Sequence, residues 1–232
     1  MKKRILHPKS LLETLDRFNE AVFWGHDWES EAADLAEWIS GRLGEPRAYS
    51  DSFAMTEGDW RREFRLFTGE RISTRAGRSH VIAEEAGRAL RLVETALGEP
   101  LEALRQSEAR LGERIIRDPC SIVREKGEYC CGPCSVALWR YLNVGGFASL
   151  KSSLAKGVRH LEPHRVEGGG WRRFPFYYTC LALVEVGSPA ARRELTVHQE
   201  TCARRLRTNR HRRDRYALRR SELMRRVLEL PS

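Results

Sequence analysis

At 232 residues, with 41% hydrophobic and 31% charged side chains, the chain has the composition of a folded globular protein, not a disordered one. No run is long and apolar enough to span a bilayer, and Met1-Lys2-Lys3-Arg4-Ile5-Leu6-His7-Pro8 carries charge with no apolar stretch behind it, so neither a membrane span nor a secretory signal is expected. The net charge of +9 is local: from Thr201 to Ser232 eleven arginines stand against Asp214, Glu222 and Glu229, and the rest of the chain is almost neutral.

Nearly every segment reads as helix. Ser10 and Glu13 have the spacing of a capping box, and Leu11, Leu15, Phe18 and Val22 follow on one face. Ala32, Leu35, Ala36, Ile39 and Leu43 mark a second helix, stopped by Gly44 and Pro46. Thr56 and Asp59 open a short helix bearing Trp60, Phe64 and Phe67. Ser79 to Leu97 carries the clearest stripe, Ile82, Ala86, Leu90, Val93 and Leu97, ended by Gly98 and Pro100. Leu101, Leu104, Leu111 and Ile115 continue it. Pro119 to Glu128 reads as a loop. A helix then begins at the cysteine cluster Cys130-Cys131-Gly132-Pro133-Cys134 and runs through Leu142. After Gly145-Gly146, Leu150, Leu154, Val158 and Leu161 give another helix, and Val166 to Gly170 a Gly-rich turn. Phe174 to Val186 is a largely apolar helix, Pro189 to Leu206 a further one, and Arg212 to Leu230 an Arg-rich last one.

The class is therefore all-α, with no strand alternation or hairpin signal. The expected organisation is an N-terminal helical bundle, residues 1–118, and a Cys-bearing helical half, residues 119–232, whether as two units or around one core. The segment Leu161 to Trp171, with its Gly168-Gly169-Gly170-Trp171 turn, is followed by Phe174-Pro175-Phe176-Tyr177-Tyr178-Thr179-Cys180-Leu181-Ala182-Leu183. It resembles a repeat of the squalene-cyclase and protein-prenyltransferase class, which pairs helices around such a turn. The resemblance implies a toroid or solenoid fragment of α/α repeats and, as one functional expectation, isoprenoid binding. It covers about a third of the chain. The Asp-rich runs of those enzymes are absent from this sequence, so the resemblance bears on architecture more than on activity.

The cysteine cluster carries the most chemistry. Pro133 suits the first helical position, and Cys131 is expected at the N-cap and Cys134 in the first turn, facing unpaired N–H groups and the positive end of the helix dipole. Both favour thiolate. In a chain without an export signal a cytoplasmic location is expected, where such a cluster points to redox or metal chemistry over a structural disulfide. Cys131-Gly132-Pro133-Cys134 is similar to the active-site tetrapeptide of thioredoxins, which implies Cys131 as attacking and Cys134 as resolving thiol. Cys130 stands where that family has Trp, and no βαβ pattern follows. As a metal site, Cys120, Cys130, Cys131 and Cys134 offer four thiolates for Zn²⁺, with His160, His164 and His198 as further ligands, and an iron–sulfur cluster is a lesser variant. Cys131 at a helix start also resembles a papain-like nucleophile, for which His198 or His164 would be the base. Cys180 and Cys202 have the surroundings of core cysteines.

Arg75, Arg78, His80, Glu84 and Glu85 cluster near one helix start. His80 and Glu84 share a face, as an acid–base pair would, although a solvated, salt-bridged surface accounts for the same pattern. Trp171, Arg172, Arg173, Phe174, Tyr177 and Tyr178 mix cations with aromatics, but the aromatic spacing is that of a core helix. In the tail, Arg204, Arg205, Arg212, Arg213, Arg219 and Arg220 are candidate contacts to nucleic acid or another acidic partner, and pairing with the acidic N-terminal half competes with that role. The functional expectations are thus a thiol site, redox or metal-linked, or a helical binding module using its Arg tail.

Overall fold

A computed structural model describes residues 4–209 and 212–231. Met1 to Lys3, part of the charged start, and Arg210 of the basic tail lie outside the described residues. Those described form twelve α-helices and no strand. They are α1 (Leu11–Trp24), α2 (Ala32–Ser40), α3 (Glu57–Trp60), α4 (Arg75–Leu97), α5 (Glu102–Arg117) and α6 (Val123–Lys126), then α7 (Gly132–Asn143), α8 (Lys151–His160), α9 (Phe176–Val186), α10 (Pro189–Thr196), α11 (Gln199–Asn209) and α12 (Arg215–Leu228). No described helix is long and apolar enough to cross a membrane.

Local signals set most boundaries. Ser10 caps α1 by accepting from the Glu13 N–H at 2.9 Å, and the Asp59 carboxylate accepts from the Leu11 N–H at 2.9 Å. Asp59 also completes the capping box of α3 with Thr56, so one carboxylate secures two helix starts. α4 begins four residues earlier than the stripe predicts, because Thr74 caps it through the Gly77 N–H. The Pro119–Glu128 loop contains the single turn α6. The predicted Pro189–Leu206 helix is broken, because the His198 N–H bonds back three residues to the Leu195 carbonyl, ending α10 and turning the His198 ring inward.

α4 is the central element. It packs against α1, α2 and α5 from its own half and against α7 across Pro119, and α7 in turn packs on α8 and α9. The buried core runs without a break from Ile5 to Val227, so the two predicted halves share one core. At its centre lies a polar cluster. The Arg140 guanidinium, 1% exposed, bonds Glu185 through Nε at 2.7 Å and Nη2 at 2.8 Å, Asn19 at 2.9 Å, and Glu85. Arg88 joins Asn19 and Glu185, each at 3.0 Å, and the Tyr178 hydroxyl donates to Glu85. Two guanidinium groups thus face two carboxylates, with α1, α4, α7 and α9 all contributing. Burial alone would raise the Glu185 carboxyl, but Arg140 and Arg88 outweigh it and hold it below its usual value.

The last helix closes against the first. Arg219, 1% exposed, donates to both oxygens of Asp16 at 2.7 and 2.9 Å and to the Phe67 carbonyl at 3.0 Å, and it pairs with Glu20. Arg220 donates to the Thr68 carbonyl at 2.6 Å.

Removing Arg140 leaves the buried Glu85 and the half-buried Glu185 short of a partner, so Arg140→Met is expected to cost about 3–5 kcal/mol in urea unfolding. The double change Arg140→Met with Glu185→Met should recover part of that loss. A single-variant cost under ~1 kcal/mol would show that the cluster does not hold the helices together.

Candidate functional site

The cysteine cluster sits where α7 begins, against the N-terminal half of α4. Cys131 is the N-cap of α7, Gly132 the first helical residue and Pro133 the second, and the Ser135 N–H makes the first helical bond to the Cys131 carbonyl at 2.9 Å. The helix start is clamped by the segment before α9. A Cβ at Gly132 would collide with the Arg173 carbonyl oxygen, so only glycine lets the two backbones approach this closely. Cys130 and Arg173, on either side of that contact, adopt left-handed backbone angles, φ 57° and 74°. Such residues are costly and concentrate at functional sites.

Cys131 Sγ lies 3.3 Å from Cys134 Sγ, the first half-exposed and the second fully buried. Cys134 Sγ also lies 3.7 Å from His80 Nδ1 on α4. The His80 ring is buried under Tyr49, with centroids 3.8 Å apart, and near Tyr129 at 5.5 Å. Glu84, one turn along α4 from His80, is 0% exposed, and neither of its carboxylate oxygens has a hydrogen-bond partner.

This environment separates the thiols. The Cys134 S–H bonds toward Cys131, and without closing a full capping bond the Cys134 backbone N–H also favours a Cys131 thiolate; the Arg173 charge adds to both. Together they outweigh desolvation and bring Cys131 down to about 6. Cys130 is lowered as well, first by the Cys134 thiol. Cys134 is raised by its bonds to Cys130 and Cys131, then by burial and the nearby Glu84. Burial takes His80 down to about 4, leaving a neutral imidazole, and drives the Glu84 carboxyl well above its usual value, with the Cys131 charge adding to the effect.

The structure rearranges the sequence-predicted metal set. His80 Nδ1, Cys130 Sγ and Cys134 Sγ all lie within 4.8 Å of one another, close enough to hold a metal ion, while Cys120 is exposed and outside that group. Cys120 belongs to the loop after α5, where its N–H is turned onto Asp118. The histidines nominated as bases for Cys131 are engaged elsewhere. His198 lies 3.6 Å from Glu194 with its ring against Trp171, and His164 faces Glu128. Of the cluster near the start of α4, Arg75 is exposed and Arg78 half-buried, as a solvated surface would have them, while His80, Glu84 and Glu85 are buried, as is Arg88 one turn further on.

Among the other candidates, Trp171, Phe174, Phe176 and Tyr178 are buried, while Arg172 and Arg173 stay outside. Cys180 and Cys202 are both fully buried. In the tail, Arg219 is corrected from a surface contact to a core residue, because Asp16 and Glu20 of α1 neutralise it inside the protein. Arg204 donates to the Gly168 carbonyl at 2.9 Å, and Arg205 lies 3.9 Å over the Phe176 ring. Arg212 and Arg213 are exposed.

A carboxyl raised by burial binds a proton in the folded state that the unfolded chain releases above about pH 4.5, so Glu84 costs stability increasingly as pH rises from there. Glu84→Gln should therefore be more stable than the parent at pH 8 and close to it at pH 4.5, measured as urea midpoints across that range. A pH-independent gap between the two would contradict a buried, unpartnered carboxyl.

No family model, curated protein or solved structure matches the chain.

Proposed function

We propose that the chain works as a dithiol redox protein through Cys131 and Cys134. The supporting observation is the 3.3 Å sulfur separation at the start of α7, with one thiol reachable from solvent and the other buried. A disulfide needs the sulfurs about 2.05 Å apart, so closure asks for little more than 1 Å of movement.

The Cys131 thiolate attacks a sulfur of a substrate disulfide, forming a mixed disulfide and releasing the first substrate thiolate. That step removes the negative charge toward which the Cys134 S–H was bonded, and the Cys134 proton becomes easier to lose. That proton goes to the sulfur that departs, while His80 Nδ1, 3.7 Å from Cys134 Sγ, stays neutral beside it. Cys134 then attacks Cys131 Sγ, closing the Cys131–Cys134 disulfide and releasing the second substrate thiol. Two electrons move from the protein to the substrate, and an external dithiol restores the reduced state.

A second reading has its own observation, the convergence of His80, Cys130 and Cys134. There the three would hold a metal ion such as Zn²⁺, with Cys131 beside them as a further thiolate.

Alkylation by iodoacetamide followed against pH tests the first reading. One thiol should titrate near pH 6 and vanish in Cys131→Ser. In Cys134→Ser it should titrate higher, because the stabilising S–H is lost, and this variant should trap a mixed disulfide with a small-molecule disulfide. Six thiols unreactive below pH 8 in the metal-free protein would defeat the redox reading. Thiols protected by added Zn²⁺ at one equivalent, with no intramolecular disulfide formed under oxidant, would favour the metal reading in its place.

A further inference from the structure

A second cluster lies on the other side of the short loop that leads into α7. Glu128 Oε1 stands 3.0 Å from His160 Nε2 and 3.2 Å from His164 Nε2, and all three atoms lie within 4.8 Å of one another. The Glu128 side chain is 6% exposed and the two imidazoles 23% and 17%. At these separations an N–H···O bond is expected. Yet Glu128 Oε1 is buried without a hydrogen-bond partner. A buried carboxylate oxygen left unpartnered within 3.2 Å of two ring nitrogens is a costly arrangement unless something else joins the three.

The cluster is held rigidly. The Glu128 carbonyl accepts from the Ile122 N–H at 3.0 Å, the Tyr129 N–H donates to Ser135 Oγ at 2.9 Å, and the Gly127 carbonyl accepts from Trp139 Nε1 at 2.6 Å. Gly127, φ 71°, lies so close to the α8 backbone at Ser153 and Gly157 that a Cβ would collide there. This contact brings Glu128 to the helix that ends at His160. His164 follows one turn later, with its ring against Phe174 at 5.2 Å and its carbonyl accepting from the Arg172 N–H at 2.7 Å. Side chains fixed by such a shell are preorganised for a ligand. Arg173 approaches the other carboxylate oxygen, Oε2, at 3.9 Å and leaves Oε1 to the histidines.

We propose that Glu128, His160 and His164 form a binding site for a divalent transition-metal ion, distinct from the thiol cluster and open to solvent at one or more coordination positions. Two imidazoles and a carboxylate suit zinc or ferrous iron, and donor atoms bonded at about 2.0–2.2 Å to one such ion stand roughly 3.0–3.5 Å apart, as Glu128 does from each imidazole. Three protein ligands leave room for water, and the partial exposure of both imidazoles gives it access. None of its three ligands belongs to the dithiol reading, and the proposal stands or falls without that reading.

Co²⁺ titrated into the reduced, metal-free full-length protein tests it, with absorbance separating the two clusters. Binding at Glu128, His160 and His164 should give ligand-field bands at one equivalent without sulfur-to-cobalt charge transfer. Glu128→Gln, His160→Gln and His164→Gln should each weaken these bands' affinity by more than the roughly tenfold to hundredfold that loss of an outer partner costs. Cys131→Ser with Cys134→Ser should leave them in place. No ligand-field uptake by the parent protein, uptake seen only with sulfur charge transfer, or uptake unchanged in the three Gln variants would each overturn the proposal. The parent titration decides the matter even if a variant fails to fold.

Discussion

The buried cluster of Arg88, Arg140, Glu85 and Glu185 sets the geometry on which the rest of the molecule depends. Burying three charges and half-burying a fourth, Glu185, is favourable only when each finds its partners in good geometry. Here the partners come from α4, α7 and α9, with Asn19 of α1 bridging the two arginines. A shift of α7 along α4 by one residue would strand two carboxylates in the core. The cluster thus specifies register more sharply than the alanine-rich apolar contacts around it, which tolerate sliding. That register has a chemical consequence. His80 lies about one and a half turns before Glu85 on α4, and Cys134 lies a similar distance before Arg140 on α7. Locking Arg140 to Glu85 therefore holds Cys134 Sγ beside His80 Nδ1.

The thiols show how a helix start and a buried wall divide the labour between two identical groups. Both cysteines belong to the first turn of α7, where the dipole and free N–H groups favour negative charge. Cys131 at the cap keeps access to solvent and to Arg173. Cys134, three residues on, is turned into the core against His80 and Glu84. The proton is therefore held on the inner sulfur and the charge on the outer one. The division follows from placement alone, since the tetrapeptide would behave differently on a fully exposed helix.

Much of this was legible in the sequence, and what was not has a physical reason. Apolar periodicity and Gly or Pro stops located the helices, because amphipathic burial is a local signal. Pro133 after Cys131 placed the N-cap. The inward turn of His80, Glu85 and Arg88 was hidden, because their partners Cys134, Arg140 and Glu185 lie 50 to 100 residues away and no local pattern announces them. Arg219 misled for the same reason. An arginine-rich helix looks like a surface for an acidic partner, and at Arg219 the competing expectation, pairing with the acidic N-terminal half, is the one realised, through Asp16 and Glu20 of α1. Cys120 misled through proximity in sequence, for the turn at Asp118 leaves it in solvent while His80, fifty residues upstream, takes its place beside the thiols.

Glu84 and Glu85 make the clearest contrast between scaffold and site. They are adjacent in sequence, sit on one helix, and are both buried. Glu85 has Arg140, Asn19 and Tyr178, and its charge is absorbed into the structural cluster. Glu84 has no hydrogen-bond partner, and burial raises it, with the Cys131 charge, Glu85 and Cys130 adding to the effect. For folding alone, an apolar residue at 84 would serve better, because an unpartnered buried carboxyl costs stability with no return in packing. A residue that the fold disfavours is set against the thiols of α7, where burial and the Cys131 charge hold its carboxyl well above the usual value, so that it meets a Cys131 thiolate as a neutral acid and adds no second negative charge to the site.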